Sequence, residues 1–141
     1  GSTRLWRDYF PDSTHIFGID DDSQGESPGP HHGIKKISGD AYSDKIVNEF
    51  ADNSLDIIID DGPHTYQSFI DLIPKYYPKL RHNGVLIIED IIRPHEIAPL
   101  VELARATGYS SSEDHDMTGK QKTALLSRRW RDGLHILVLT K

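Results

Sequence analysis

The chain has no cysteine, so it cannot build a disulfide framework or a thiolate metal site. It also lacks an apolar run approaching the roughly 20 residues of a membrane span, and no signal-peptide pattern precedes Thr3. These three absences lead to the expectation of a cytoplasmic protein that does not enter a membrane. Basic residues are sparse and scattered. Arg128, Arg129 and Arg131 around Trp130 form the one tight basic cluster, and they read as a solvated turn. With 22 acidic against 16 basic residues and a formal net charge of -6, neither nucleic acid nor an anionic membrane is the expected partner. A chain of 141 residues is expected to form a single domain around one core.

What the sequence does have is centred on Leu55-Asp56-Ile57-Ile58-Ile59-Asp60-Asp61-Gly62-Pro63-His64-Thr65-Tyr66. Three consecutive branched apolar residues, Ile57 to Ile59, predict a strand buried on both faces, as in a parallel sheet covered by helices. Gly62 and Pro63 make a turn, and Tyr66, Phe69, Ile70, Leu72, Ile73, Tyr76 and Tyr77 then recur at helical spacing. The remaining elements follow the same alternation. Thr3 to Phe10 reads as a helix ended by Pro11, and His15 to Ile19 as a strand running into Asp20, Asp21 and Asp22. Ser23 to Gly33 is a loop rich in Pro and Gly, in which His31 and His32 are adjacent but lack a third ligand. Gly33 to Ser38 predicts another strand, followed by Gly39-Asp40 and a helix over Ser43 to Ala51. Pro78 to Gly84 reads as a turn, Val85 to Ile88 as a strand ending on Glu89-Asp90, and Pro94 to Thr107 as a helix stopped by Gly108. Ser110 to Gln121 is polar and reads as a surface loop. Thr123 to Ser127 and Leu134 to Leu139, joined through Asp132-Gly133, read as an antiparallel hairpin. The pattern predicts an α/β fold with a mostly parallel sheet, a C-terminal antiparallel hairpin and helices on both faces.

Every parallel strand therefore ends in acid, at the sheet edge where ligands bind in open α/β folds. A lone Asp at such a place is commonly a turn or cap residue. The joint order is more informative. Asp20 has the chemistry to accept both hydroxyls of a ribose, and Asp40 to accept from an adenine amino group. Asp61, Glu89 and Asp90 fall on strands expected to be neighbours, where three carboxylates repel one another unless a cation lies between them. Oxygen ligands favour magnesium, manganese or calcium. His64, three residues after Asp61, is then placed to act as base on a hydroxyl acidified by that cation.

These segments, Ile16-Phe17-Gly18-Ile19-Asp20, Gly39-Asp40, Asp56 to His64 and Leu80 to Asp90, resemble the class I S-adenosylmethionine-dependent methyltransferases. Within that class the resemblance is to the metal-dependent sugar O-methyltransferases of macrolide biosynthesis, of the demethylmacrocin and mycinamicin type, and to the related cephalosporin-hydroxylase group. It covers most of residues 3 to 95. It implies a Rossmann-like methyltransferase sheet in which Asp20 holds the adenosyl ribose and Asp40 and Ala41 border the adenine. It further implies that Asp61, Glu89 and Asp90 bind Mg2+ or Mn2+ and that His64 is the general base. Asp60 would seat the methionine part of S-adenosylmethionine or cap the turn. Such proteins open their sheet with a central strand and a Gly-rich loop, and the sequence here starts just after the corresponding position, so the first strand is expected to be missing.

The expected function is methyl transfer from S-adenosylmethionine to a hydroxyl of a small molecule, a sugar or similar polyol, with Tyr66, Arg93 and His95 as candidates for the acceptor pocket. A homo-oligomer would be one way for such a sheet to regain a strand. Two other readings stand beside it: a non-catalytic remnant of the fold serving as a binding or assembly module, and a metal-dependent hydrolase using the same carboxylates and His64. The hydrolase leaves Asp20 and Asp40 without a role.

Overall fold

A computed structural model describes residues 2–11, 14–21, 33–117 and 135–141, with side chains from Trp6 onward. The expected strand at Thr123 to Ser127, His31-His32 and the Arg128 to Arg131 cluster lie outside the described residues. Contacts divide the chain into two compact units, Gly1–Val47 and Asn48–Lys141.

The first unit contains α1 (Ser2–Tyr9), β1 (Ile16–Asp20), β2 (Ile34–Ser38) and α2 (Asp44–Val47). Strands β1 and β2 are parallel, with Ile16 opposite Ile34 and Asp20 opposite Ser38. Arg7 ties the end of α1 to the following turn, donating from its guanidinium to the carbonyls of Thr14 (2.8 Å), Phe10 (3.0 Å) and Pro11. The helix expected over Ser43 to Ala51 is a single turn. Ser43 opens it, its carbonyl accepting from the Ile46 and Val47 amides at 3.1 Å. The chain then passes into a turn at Asn48 instead of adding the further hydrogen bonds a longer helix needs.

The second unit contains β3 (Leu55–Asp60), α3 (Tyr66–Tyr76), β4 (Leu80–Ile91), a 3₁₀ turn (Pro94–Glu96), α4 (Ile97–Thr107), β5 (Ser111–Asp116) and β6 (His135–Thr140). Its sheet runs in the order β3-β4-β6-β5. Strands β3 and β4 are parallel, and β6 is antiparallel to both β4 and β5. Phe69 and Ile73 of α3, Leu86, Ile88 and Ile91 of β4, Leu100 of α4, and Leu137 and Leu139 of β6 are completely buried and form the core. Helix α3 starts with a capping box: Thr65 Oγ1 accepts from the Ser68 amide at 3.1 Å, and the Ser68 hydroxyl accepts from the Thr65 amide at 3.2 Å. Helix α4 ends at Gly108, whose φ of 118° closes the helix in a left-handed cap beside the Tyr77 ring.

Two expectations are corrected here. The turn placed at Pro78 to Gly84 is in large part strand: β4 already begins at Leu80, which pairs with Leu55. Asn83, at φ 61°, absorbs a register shift while the chain keeps its direction. The stretch read as a loop from Ser110 contains β5, and all six of its residues are exposed. Neither face of β5 is buried, so it carries no apolar alternation; backbone pairing to β6 defines it. The antiparallel partners of β6 are thus β4 and β5.

The capping box supplies a stability prediction. Thr65→Ala leaves the Ser68 amide without its side-chain acceptor and is expected to cost about 1 kcal/mol, whereas Thr65→Ser keeps the cap and costs less. Urea denaturation of the two variants measures the difference.

Candidate metal centre

The site in the second unit is built by the parallel pairing of β3 with β4. Asp60 stands opposite Ile88, so the residues that follow each strand emerge together at one edge of the sheet. Asp60 is itself buried, at 7% exposure. Beyond it the chain turns through Gly62 and Pro63 to reach the Thr65 cap, which aims His64 back toward the strand end. On β4, a register shift between Ile88 and Ile91 bulges the strand and re-aims Asp90.

Asp61, His64 and Asp90 each offer a ligand atom within 4.8 Å of those of the other two. The contacts given by a bound divalent cation would span about 3 to 4.2 Å between neighbouring and opposite ligands, a spacing small side-chain rotations can reach. His64 Nε2 lies 3.4 Å from Asp61 Oδ1. That nitrogen is buried and makes no hydrogen bond, a condition that costs roughly 1–3 kcal/mol unless something occupies the place. Two of the three residues also adopt left-handed backbone conformations, His64 at φ 52° and Asp90 at φ 55°. Neither is glycine, and each such conformation costs on the order of 1 kcal/mol or more. Among the described residues, the other two non-glycine positions with positive φ, Asn53 and Asn83, are of the type that tolerates it.

Glu89 is not in this tight group. Its carboxyl is nevertheless held above the usual carboxylate range, first by burial and then by the negative charges of Asp61 and Asp90, with His64 acting in the opposite sense. The cluster thus carries excess negative charge, and both its donor chemistry and the buried imidazole nitrogen beside Asp61 fit a divalent cation.

The remaining residues singled out by sequence fall as follows. Asp20 and Asp40 belong to the first unit, where the Gly39 amide donates to the Asp20 carbonyl at 2.9 Å and so sets Asp40 just beyond the end of β1. Asp40 Oδ1 accepts from the Tyr42 amide at 2.9 Å and shapes the turn that holds Ala41. Tyr66 is partly exposed, His95 is exposed in the 3₁₀ turn, and Arg93 donates to Glu96 Oε1 at 3.0 Å. Sequence reasoning missed one ionisable pair at the same sheet edge. His135 stands opposite Ile91, and its Nδ1 is 2.9 Å from Asp114 Oδ1. No signal in the sequence joins these two residues, because Asp114 sits in a stretch without apolar periodicity.

Comparison with known proteins gives two kinds of likeness. The chain is 28% identical over 95 residues to 8-demethyl-8-alpha-L-rhamnosyl tetracenomycin-C 2'-O-methyltransferase of Streptomyces olivaceus, matching 64% of this chain and 24% of that protein. It is 30% identical over 95 residues to Mycinamicin VI 2''-O-methyltransferase of Micromonospora griseorubida (64% and 23%), and 29% identical over 93 residues to Demethylmacrocin O-methyltransferase of Streptomyces fradiae (64% and 23%). The chain thus spans about a quarter of the length of these curated relatives. No protein-family model matches it. Among solved structures, a SAM-dependent methyltransferase from Archaeoglobus fulgidus aligns with a TM-score of 0.57 at 12% identity, over 89% of this chain and 75% of that one. The Burkholderia thailandensis 1,6-didemethyltoxoflavin-N1-methyltransferase aligns with a TM-score of 0.59 at 13% identity, over 90% and 61%. At these identities the structures establish the fold, which is the Rossmann-like fold of methyltransferases.

The raised carboxyl of Glu89 has a testable sign. Because the folded state holds that proton more tightly than the unfolded chain does, ionised Glu89 opposes folding, and the cost grows as pH rises from the unfolded value through the folded one. Glu89→Gln is therefore expected to raise the urea midpoint of the metal-free protein at neutral pH. The gain should vanish at pH values below the normal glutamate pKa.

Proposed function

We propose that this chain carries out, or forms the core of a protein that carries out, methyl transfer from S-adenosylmethionine to a hydroxyl oxygen of a sugar-containing small molecule. The observation that carries this reading is the convergence of Asp61, His64 and Asp90 at the end of two parallel strands, in a chain whose relatives are sugar O-methyltransferases by name. The rhamnosyl acceptor in one of those names supports a sugar-containing acceptor. No helix of the described residues is long and apolar enough to cross a membrane.

The residues divide into roles. Asp20, which ends β1, is assigned the adenosyl ribose, and Asp40 with Ala41 the adenine, since carboxylate oxygens accept from both ribose hydroxyls and from the exocyclic amine. Asp60, buried at the end of β3, is assigned to the methionine portion. Asp61 and Asp90, with Glu89 beside them, are assigned a divalent cation such as Mg2+ or Mn2+, and that ion would supply the positive charge that makes a hydroxyl easier to deprotonate. His64 is the group expected to receive the proton as the oxygen attacks the methyl carbon in line with the departing sulfur.

Calorimetric titration with S-adenosylmethionine, using Asp20→Ala as control, tests the cofactor assignment. The expected result is micromolar-range binding that is lost in Asp20→Ala. Transfer of a labelled methyl group to rhamnose-bearing acceptors then tests the reaction, with Asp61→Asn expected to lower turnover by about 10- to 100-fold. No cofactor binding by a folded sample would favour the non-catalytic binding module instead.

A further inference from the structure

Strand β6 runs antiparallel to β4, so its first residue, His135, returns to the edge where β3 ends and where β4 delivers Asp90. His135 stands opposite Ile91, one residue past Asp90, which puts the Cα atoms of His135 and Asp90 within about 9 Å of each other. Along β6 the buried positions are His135, Leu137 and Leu139, and Ile91 is completely buried. A leucine at 135 would extend that apolar row, whereas an imidazole needs hydrogen-bond partners there. Asp114 of β5 supplies one. It pairs with Leu137, so it lies diagonally from His135 on the same face, with Oδ1 2.9 Å and Oδ2 3.2 Å from Nδ1. With its proton on Nδ1 and donated to Asp114, the neutral ring presents Nε2 as an acceptor. Nε2 makes no hydrogen bond to a described residue, and unlike Nε2 of His64 it is not sealed from water.

We infer that His135 is a specificity-determining residue on the acceptor side, whose Nε2 accepts from a second hydroxyl of a sugar-like acceptor, next to the hydroxyl presented to His64. Asp114 is the positioning residue that holds the ring for this bond. The class of ligand rests on the proposed function. Two acceptor groups on neighbouring strands suit a pair of adjacent hydroxyls, and a deoxy analogue would leave one of them without its donor. A pair that only fastened the exposed strand β5 to β6 would show the same Asp114 to His135 distance, but its removal would not depend on which hydroxyls the ligand carries.

The test uses the 141-residue chain with Mg2+ present and methyl α-L-rhamnoside as the probe. Calorimetry gives the affinity, and NMR follows the histidine ring nitrogens. The rhamnoside is expected to shift the His135 Nε2 resonance. His135→Leu continues the apolar row, so its thermal midpoint should equal or exceed that of the parent while rhamnoside binding weakens about tenfold. His135→Gln, whose amide oxygen can accept near the place of Nε2, should recover part of that loss. Removing the 2-, 3- or 4-hydroxyl of the probe in turn should weaken binding to the parent about tenfold at one position. That penalty should disappear in His135→Leu, a coupling that a purely structural pair does not produce. Equal rhamnoside affinity in parent and His135→Leu would overturn the inference, as would a deoxy penalty that persists unchanged in the variant. Absence of rhamnoside binding by folded protein would also overturn it. Titration of the same preparation with S-adenosylmethionine reads the proposed function separately. Cofactor binding without rhamnoside binding removes only this inference, and His135-dependent rhamnoside binding without cofactor binding removes only methyl transfer.

Discussion

The parallel pairing of β3 with β4 decides where the acidic groups of the second unit go. With Asp60, the last residue of β3, opposite Ile88 of β4, the residues just beyond this level bring Asp61, His64 and Asp90 within 4.8 Å of one another, with Glu89 outside that group. That arrangement carries costs in the bare protein. Burial first, and then the charges of Asp61 and Asp90, raise the Glu89 carboxyl's affinity for protons, and the ring nitrogen of His64 is buried without a hydrogen bond. The apolar interior of the sheet and helices has to offset these costs. Leu86, Ile88, Ile91, Leu137 and Leu139, all removed from water, lie on the strands whose edge bears the cost.

Local devices make the edge possible. The Thr65 capping box fixes the start of α3, so the short turn through Gly62 and Pro63 must return by way of a left-handed His64. The bulge in β4 does the same for Asp90, turning it from the register its neighbours follow. In both places a glycine would relax the backbone, and in both places the chain carries a metal-binding residue type instead. Strain of this kind, found where charged side chains converge, supports the proposed cation reading of this edge. The first unit has a milder arrangement: a parallel pair of strands, with the Gly39 amide bonded to the Asp20 carbonyl and Asp40 capping its own turn.

Much of this was legible from residue order because β1 and β3 are short, mostly apolar runs that stop on Asp20 and Asp60, β4 carries the apolar run Val85 to Ile88 just before Glu89 and Asp90, and α3 and α4 repeat their apolar residues at helical spacing. Periodicity fails where burial fails. Strand β5 has six exposed residues and no face to write into the sequence, so a polar stretch that reads as loop is held as strand by its backbone bonds to β6. Likewise the four residues of β4 before Gly84 read as a turn, because Arg81, His82 and Asn83 are exposed and only the pairing of Leu80 with Leu55 reveals the strand.

The sequence by itself determined the α/β class, the acidic strand ends and the identity of the groups Asp20, Asp40, Asp60, Asp61, His64, Glu89 and Asp90, since each of these depends only on local pattern and side-chain chemistry. Which of them share a volume was decided by the tertiary structure. Glu89 and Asp90 are adjacent in the chain, yet a bulge and a left-handed residue bring Asp90 to His64 and leave Glu89 aside. The physical reason is that a one-residue change in strand register reverses the face on which a side chain lies, and register is set by pairing with a distant segment, which no local pattern encodes.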